Sequence, residues 1–156
     1  MRALIAALCL SFGAAGLASA APADDAVATV HHFFDAFDKG DIAGAEATHA
    51  PDVSIIDEVP PHEWHGPGAF QAWLGALDAG MKAQGQTDGA VTLGDTIRAD
   101  VNGDAAYVVV ATTFNYKQRG APITEPSEAV FSLKNGAGGW KITGWAWAGQ
   151  VPRPAK

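Results

Sequence analysis

The chain of 156 residues contains one cysteine, Cys9. This cysteine falls in an apolar stretch, residues 4–12, which follows a single arginine and leads to the small-residue triplet Ala-Ser-Ala at 18–20. That order predicts a secretory signal peptide, residues 1–20, removed by cleavage after its last residue. The mature chain, residues 21–156, then has no cysteine, which excludes disulfides, thiolate metal sites and a cysteine nucleophile. Export without disulfides favours a bacterial periplasm as the location.

Basic side chains are also scarce. Ten Lys and Arg stand against seventeen Asp and Glu, which gives a net charge of −7. A surface that binds phosphate backbones needs the opposite balance, so no nucleic-acid partner is expected. The apolar part of residues 1–20 is short for a membrane span, so no stable membrane anchor is expected either. The mature chain suits one domain that can bury a core and hold a pocket.

Hydrophobic periodicity predicts helices first and strands afterwards. Apolar residues at helical spacing predict three helices, ending near residues 39, 48 and 81. Alternating patterns predict strands at 53–58, 91–100, 105–117, 127–133 and 140–148. Proline and glycine in residues 118–126 indicate a connection between two of these strands. Because helices and strands do not alternate, the order predicts an α+β fold with helices covering one face of an antiparallel sheet.

Four segments, in this order and spacing, carry a family resemblance. They are Phe33-Phe34 to Phe37 before Gly40-Asp41, Ala50-Pro51-Asp52-Val53 to Asp57, Trp64-His65-Gly66, and Gly139-Trp140-Lys141-Ile142. Over residues 25–149 the chain resembles the NTF2-like superfamily, and within it the SnoaL-like and ketosteroid-isomerase-like small proteins. The resemblance implies a cone-shaped α+β barrel with three N-terminal helices on a curved, mixed or antiparallel sheet. It also implies a hydrophobic pocket and frequent homodimers, but no single reaction.

The resemblance also suggests roles for individual residues. Asp57 matches the general base of ketosteroid isomerases, near the end of the first strand. The tyrosine that donates to the oxyanion in those enzymes is matched here by Phe33, which has no donor. Their second donor, an aspartate, has its nearest match at Ser127, with Glu128 beside it. The base is therefore kept while the oxyanion hole is largely lost, which argues against steroid isomerisation.

The pattern predicts a ligand pocket at the open end of the cone. Phe33 and Trp73 lie on the apolar faces of the first and third helices. Phe114 and Tyr116 share one strand face, and Ser127 and Phe131 share a face of the next strand. We expect these six residues to bind the ligand, with Asp57 at the polar end. The alternative is an ordinary filled core.

Two tryptophans in the last strand leave a choice open. Trp145 and Trp147 lie on the face opposite Trp140 and Ile142 if the strand is regular. They then form an exposed apolar patch that favours a dimer interface. A bulge at Gly144 instead turns them inward as pocket walls.

The segment His62-Glu63-Trp64-His65 holds two histidines and a glutamate, which are metal-ligand types. A loop after two prolines gives these side chains no common helical face, and a further ligand must come from elsewhere. No metal and no cofactor are therefore expected, and His62 and His65 are placed at the surface or the pocket rim.

Two functions remain. The first is an exported protein that holds a small apolar or aromatic molecule and uses Asp57 in acid–base chemistry, as an isomerase, lyase or hydrolase. The second is a non-enzymatic module that binds a ligand or dimerises.

The signal-peptide hypothesis makes a direct prediction. Protein recovered from the cell envelope should begin at Ala21, because the residues before it form the small-residue motif that signal peptidase accepts. N-terminal sequencing checks this, and a retained Met1 would contradict it.

Overall fold

The structure is a computed structural model that describes residues 22–156, and the predicted signal peptide lies outside the described residues. The helices are α1 (Pro22–Asp38), α2 (Ile42–Ala47) and α3 (Ala69–Gln84). The strands are β1 (His49–Ile56), β2 (Glu63–His65), β3 (Gln86–Asn102), β4 (Ala105–Gln118), β5 (Ala121–Gly136), β6 (Gly139–Gly149) and β7 (Arg153–Pro154). The predicted α+β class is confirmed. Within the described part of the chain, no helix is both long and apolar enough to cross a membrane.

One curved, unclosed mixed sheet carries the fold. Its strand order is β2-β1-β6-β5-β4-β3, and β7 adds to β5 at the end of the chain. All pairs are antiparallel except β1 with β6, which run parallel. Phe33 of α1 is 1% exposed, and its ring centroid lies 6.4 Å from that of Phe70 in α3 and 5.9 Å from that of Trp145 in β6. The core therefore joins two helices to the centre of the sheet.

Residues 118–126 do not form the predicted loop connection. The connection is a two-residue turn, in which Arg119 and Gly120 have φ values of 51° and 85°. Two successive positive φ values suit a tight hairpin, because their twist matches that of the flanking strands. Strand β5 therefore begins at once and pairs with β4 without a register shift. Pro122 and Pro126 led to the incorrect prediction of a loop, because proline usually marks a break in a strand.

The segment around Trp64 is partly a strand rather than a loop. Strand β2 pairs antiparallel with β1, where Trp64 lies opposite Ile55. Trp64 is buried while its neighbours Glu63 and His65 are exposed, the alternation expected of a strand with one face on the core.

A bulge in β6 decides the position of the two tryptophans. The register between β5 and β6 shifts between Ser132 and Leu133, which pair with Gly144 and Ile142, so Thr143 is an extra residue. Because of the extra residue, Trp145 and Trp147 point to the same inner face as Ile142. Trp145 is buried and Trp147 is half-buried. The outward-facing dimer patch is therefore wrong, and the bulge alternative is the one observed.

Candidate functional site

A cavity of about 520 Å³ lies between helices α1 and α3 and the inner face of the sheet. Aromatic rings form much of its wall. They are Phe33, Phe34, Phe37, Trp73, Phe114, Tyr116, Trp145 and Trp147. Leu74, Leu77 and Met81 of α3 add an aliphatic side. A cavity with this size and lining suits a small organic ligand.

Most of the residues predicted for the pocket lie together. Asp57, Phe33, Trp73, Phe114 and Tyr116 all line the cavity, and the rings of Phe114 and Tyr116 stack with centroids 4.9 Å apart. This placement brings residues from one strand end, two helices and the sheet to one wall.

The other two predicted residues do not line the cavity. Phe131 is fully buried beneath it, because its strand position puts the ring 6.3 Å from Phe33 and 6.4 Å from Trp145, in the filled core. Ser127 is buried and donates from Oγ to the backbone oxygen of Glu125 at 3.1 Å. It also donates to the Glu125 side chain in the same strand and so helps to position that carboxyl group.

Asp57 follows β1 and is held by two donors. Its Oδ2 accepts from the indole Nε1 of Trp73 at 3.1 Å, and its Oδ1 accepts from the backbone N–H of Val59 at 2.9 Å. The first bond ties the strand end to α3, and the second closes the turn that follows. The carboxylate is thus fixed at the cavity wall in one orientation.

A second carboxyl group, Glu58, lies next to Asp57 and faces Glu125. Gly149 lies against the carboxyl ends of both Glu58 and Glu125. Burial first, then the charges of Glu125 and Asp57, raise the pKa of Glu58 to about 7. A group with a pKa near neutrality can both hold and release a proton under working conditions.

Glu125 is the important residue that the sequence did not reveal. It is 2% exposed and accepts at Oε1 from Trp147 Nε1 at 3.2 Å and from Ser127 Oγ at 3.4 Å. Burial raises the pKa of Glu125, although these hydrogen bonds act to lower it. Two-residue spacing could have indicated Glu125, because it lies on the same strand face as Ser127. The loop predicted for residues 118–126 prevented that inference.

Tyr116 completes the polar part of the wall. Burial raises the pKa of its phenol, and the charges of Glu125 and Glu58 act in the same direction. The phenol therefore stays protonated and can donate to a ligand oxygen.

The charge of the cavity is of one sign. Its lining includes Asp57, Glu58, Asp78 and Glu125, but no Lys, Arg or His. Asp78 is paired with Lys82 at 2.6 Å. Over residues 22–156, no cluster of three or more His, Cys, Asp or Glu side chains is placed to hold a metal ion.

The two histidines in the 62–65 segment lie at the surface. His62 Nδ1 is 3.3 Å from the backbone oxygen of Asp57, and His65 contacts Ser54 Oγ at 3.2 Å and Glu63 Oε2 at 3.4 Å. Neither histidine lines the main cavity. A third, His49, lies beside a separate cavity of about 210 Å³, and burial lowers its pKa to about 4.

Comparison with known proteins agrees with this architecture. The family model of the SnoaL-like domain matches residues 30–144. No curated protein sequence matches the chain significantly.

Solved structures with low sequence identity share the fold. A ketosteroid isomerase-like protein from Erwinia carotovora atroseptica has 18% identity and a TM-score of 0.66, covering 86% of this chain and 100% of its own. The CaMKII hub of S. rosetta has 20% identity and a TM-score of 0.68, covering 85% and 99%. An NTF2-like protein from Salmonella enterica serovar Typhimurium has 16% identity and a TM-score of 0.66, covering 86% and 92%.

The pKa of Glu58 predicts how stability depends on pH. Its ordinary value is 4.5, and in the fold it is about 7. Between these values the folded protein keeps a proton that the unfolded chain has lost, so this group lowers the free energy of unfolding as pH rises from 4.5 to about 7. Glu58→Gln should remove that part of the pH dependence, measured by urea unfolding at several pH values.

Glu128→Gln is the matched control, because Glu128 is an exposed residue on strand β5 and does not line the cavity. This control should retain the wild-type pH dependence. Equal slopes for Glu58→Gln and wild type would show that Glu58 is not the group responsible.

Proposed function

Because the chain belongs to the SnoaL-like domain family, we propose that it binds a small apolar or aromatic molecule and acts on it by acid–base chemistry. The observation that supports this most directly is the placement of three carboxyl groups, Asp57, Glu58 and Glu125, on the wall of an aromatic cavity. Low-dielectric surroundings strengthen the electrostatic effect of such groups on a bound molecule.

In this proposal Asp57 is the general base. It is held in one orientation by Trp73 and Val59, which places a proton acceptor at a fixed point of the wall. Glu58 is the complementary acid, since a pKa of about 7 leaves it protonated in part of the population at neutral pH. A protonated Glu58 and the phenol of Tyr116 supply donors that Phe33 cannot, so a developing oxyanion has partners despite the replaced tyrosine.

One observation favours the alternative, a binding module without catalysis. Both oxygens of Asp57 already accept hydrogen bonds from the protein. These bonds close a turn and tie it to α3, which is what a purely structural aspartate does. In that case the cavity retains its ligand-binding function and the carboxyl groups set only its polarity.

The two alternatives differ in the effect of Asp57→Asn. In deuterium oxide, we expect the wild-type protein to replace the acidic C–H hydrogens of bound aromatic ketones, such as indanone and tetralone, with deuterium. NMR measures the rate of this exchange. Loss of the base should slow this exchange by about 10²–10⁴-fold. The substitution also places a side-chain NH₂ group opposite an N–H donor, either that of Trp73 or that of Val59. One hydrogen bond is then lost, so the free energy of unfolding should fall by about 1–3 kcal/mol.

Asp52→Asn is the control, because Asp52 is an exposed aspartate of strand β1, the strand that Asp57 follows. It should leave both quantities unchanged. Exchange that persists in Asp57→Asn would remove Asp57 as the base. Ketone binding without any exchange in the wild type would favour the binding module.

We further propose export to the periplasm and a homodimer. The fold shared with the CaMKII hub of S. rosetta supports assembly, although the tryptophans line the cavity and do not form the contact. Tyr107 of β4 and Ile97 of β3 are large apolar residues left 42% and 53% exposed. Exposed apolar side chains on two neighbouring strands favour a contact between two copies through this part of the sheet.

Light scattering should therefore give a dimer mass at micromolar concentration. Tyr107→Asp should shift the protein towards the monomer, because a charge without a partner would be buried in the contact. A monomeric wild type would contradict the dimer, and native mass spectrometry of the same sample would show any ligand that co-purifies.

A further inference from the structure

Three of the four acidic side chains that line the cavity have no cationic partner among the described residues, and only Asp78 is paired. Asp57, Glu58 and Glu125 take part in none of the ion pairs formed within residues 22–156. The donors that meet Asp57 and Glu125 are neutral: two indole N–H groups, a hydroxyl and a backbone amide. Negative charge held among aromatic rings and away from water is unfavourable, and a positive charge compensates it more fully than neutral donors do.

The two glutamates meet at a glycine. Gly149 lies against both carboxyl ends, and a Cβ atom on it would collide with each of them. The absence of a side chain there leaves room for two acids to meet at one point. A bound cation at that point can compensate both charges.

A second observation points to a ligand independently. Trp145 lines the same cavity and is 6% exposed, and its indole N–H has no hydrogen-bond partner within residues 22–156. Trp147 differs, because its N–H is taken by Glu125. A buried donor without a partner is unfavourable, which is typical of a site completed by another molecule. An ammonium group cannot accept this N–H, but the face of an aromatic ring on the same ligand can.

The walls suit a positive charge as well as an apolar group. Rings of Trp, Tyr and Phe attract cations through the negative potential of their faces. An anion would meet several carboxyl groups in the lining and no basic side chain. A metal ion is not favoured, since no cluster in the described chain is arranged to ligate one. Among ligands of this size, an organic ammonium ion therefore matches both the charge and the walls.

We propose that the ligand is an aromatic or alicyclic amine, with its ammonium group between Glu58 and Glu125 and its apolar part against the aromatic walls. This inference rests on the proposed binding of a small apolar or aromatic molecule and adds the charge of that molecule. It gives Glu58 and Glu125 the role of specificity-determining residues.

Three matched compounds test the charge. Naphthylmethylamine, naphthylmethanol and naphthoate share a bicyclic ring and differ in being positive, neutral and negative. We expect isothermal titration calorimetry at pH 8 to give an affinity for the amine at least about tenfold above that for the alcohol, because charge-assisted hydrogen bonds are the stronger ones. The naphthoate should bind most weakly.

Two variants and one control locate the effect. Glu58→Gln and Glu125→Gln should each reduce amine affinity about tenfold or more, because each removes one partner of the ammonium group. Alcohol affinity should stay within about threefold of wild type, which also shows that the cavity is still folded. Glu128→Gln removes an equal charge from strand β5 at a residue that does not line the cavity and should change neither affinity.

The outcomes separate the two proposals. Alcohol or naphthoate binding as tightly as the amine would overturn the cation and leave the apolar pocket standing. Amine affinity that survives in both glutamine variants would likewise overturn it. Failure of all three compounds to bind at millimolar concentration would contradict both the cation and the proposed pocket function.

Discussion

The site depends on one extra residue in β6. Without the bulge at Thr143, strand alternation would carry Trp145 and Trp147 to the outer face of the sheet. The cavity would then lose two of its walls, and Glu125 would lose the indole donor that it contacts at 3.2 Å. A local irregularity in one strand thus decides whether the two tryptophans form walls of the cavity or lie on the outer face of the sheet.

The cavity combines two requirements that ordinarily oppose each other. Aromatic walls exclude water, while carboxyl groups need water or partners of opposite charge. The protein resolves this with neutral donors for Asp57 and Glu125, and with a pKa of Glu58 that burial raises to about 7. These arrangements keep the acids in place without a salt bridge. As a result, charge is held where a bound molecule would feel it strongly.

The sequence predicted the fold class, the three helices and five residues of the cavity wall, because those depend on periodicity within one element. Asp57, Phe33, Trp73, Phe114 and Tyr116 all follow from a helical face, a strand face or a strand end. Glu125 did not follow, because its strand contains two prolines and is ordered by pairing with β4 on one side and with β6 and β7 on the other.

The bulge could be stated only as an alternative, since a glycine permits it but does not require it. Phe131 and Ser127 show the converse limit of a periodic pattern. Alternation predicted the correct face of β5. It does not predict which residues on that face reach the cavity, because this depends on where the helices cross the sheet. Phe131 lies where Phe33 and Trp145 fill the space.

The parallel pairing of β1 with β6 has a consequence for how the chain acquires its structure. The first long strand hydrogen-bonds on one side only to the small β2 strand, and on the other to a strand about ninety residues later, as in the pair Ile55 and Trp145. Such a contact cannot form until nearly the whole chain is available, and closing so large a loop slows folding. Strand β1 therefore lacks its main partner until β6 is present, and residues 22–84 hold only β1 and the small β2 as sheet, so they are not an independent folding unit.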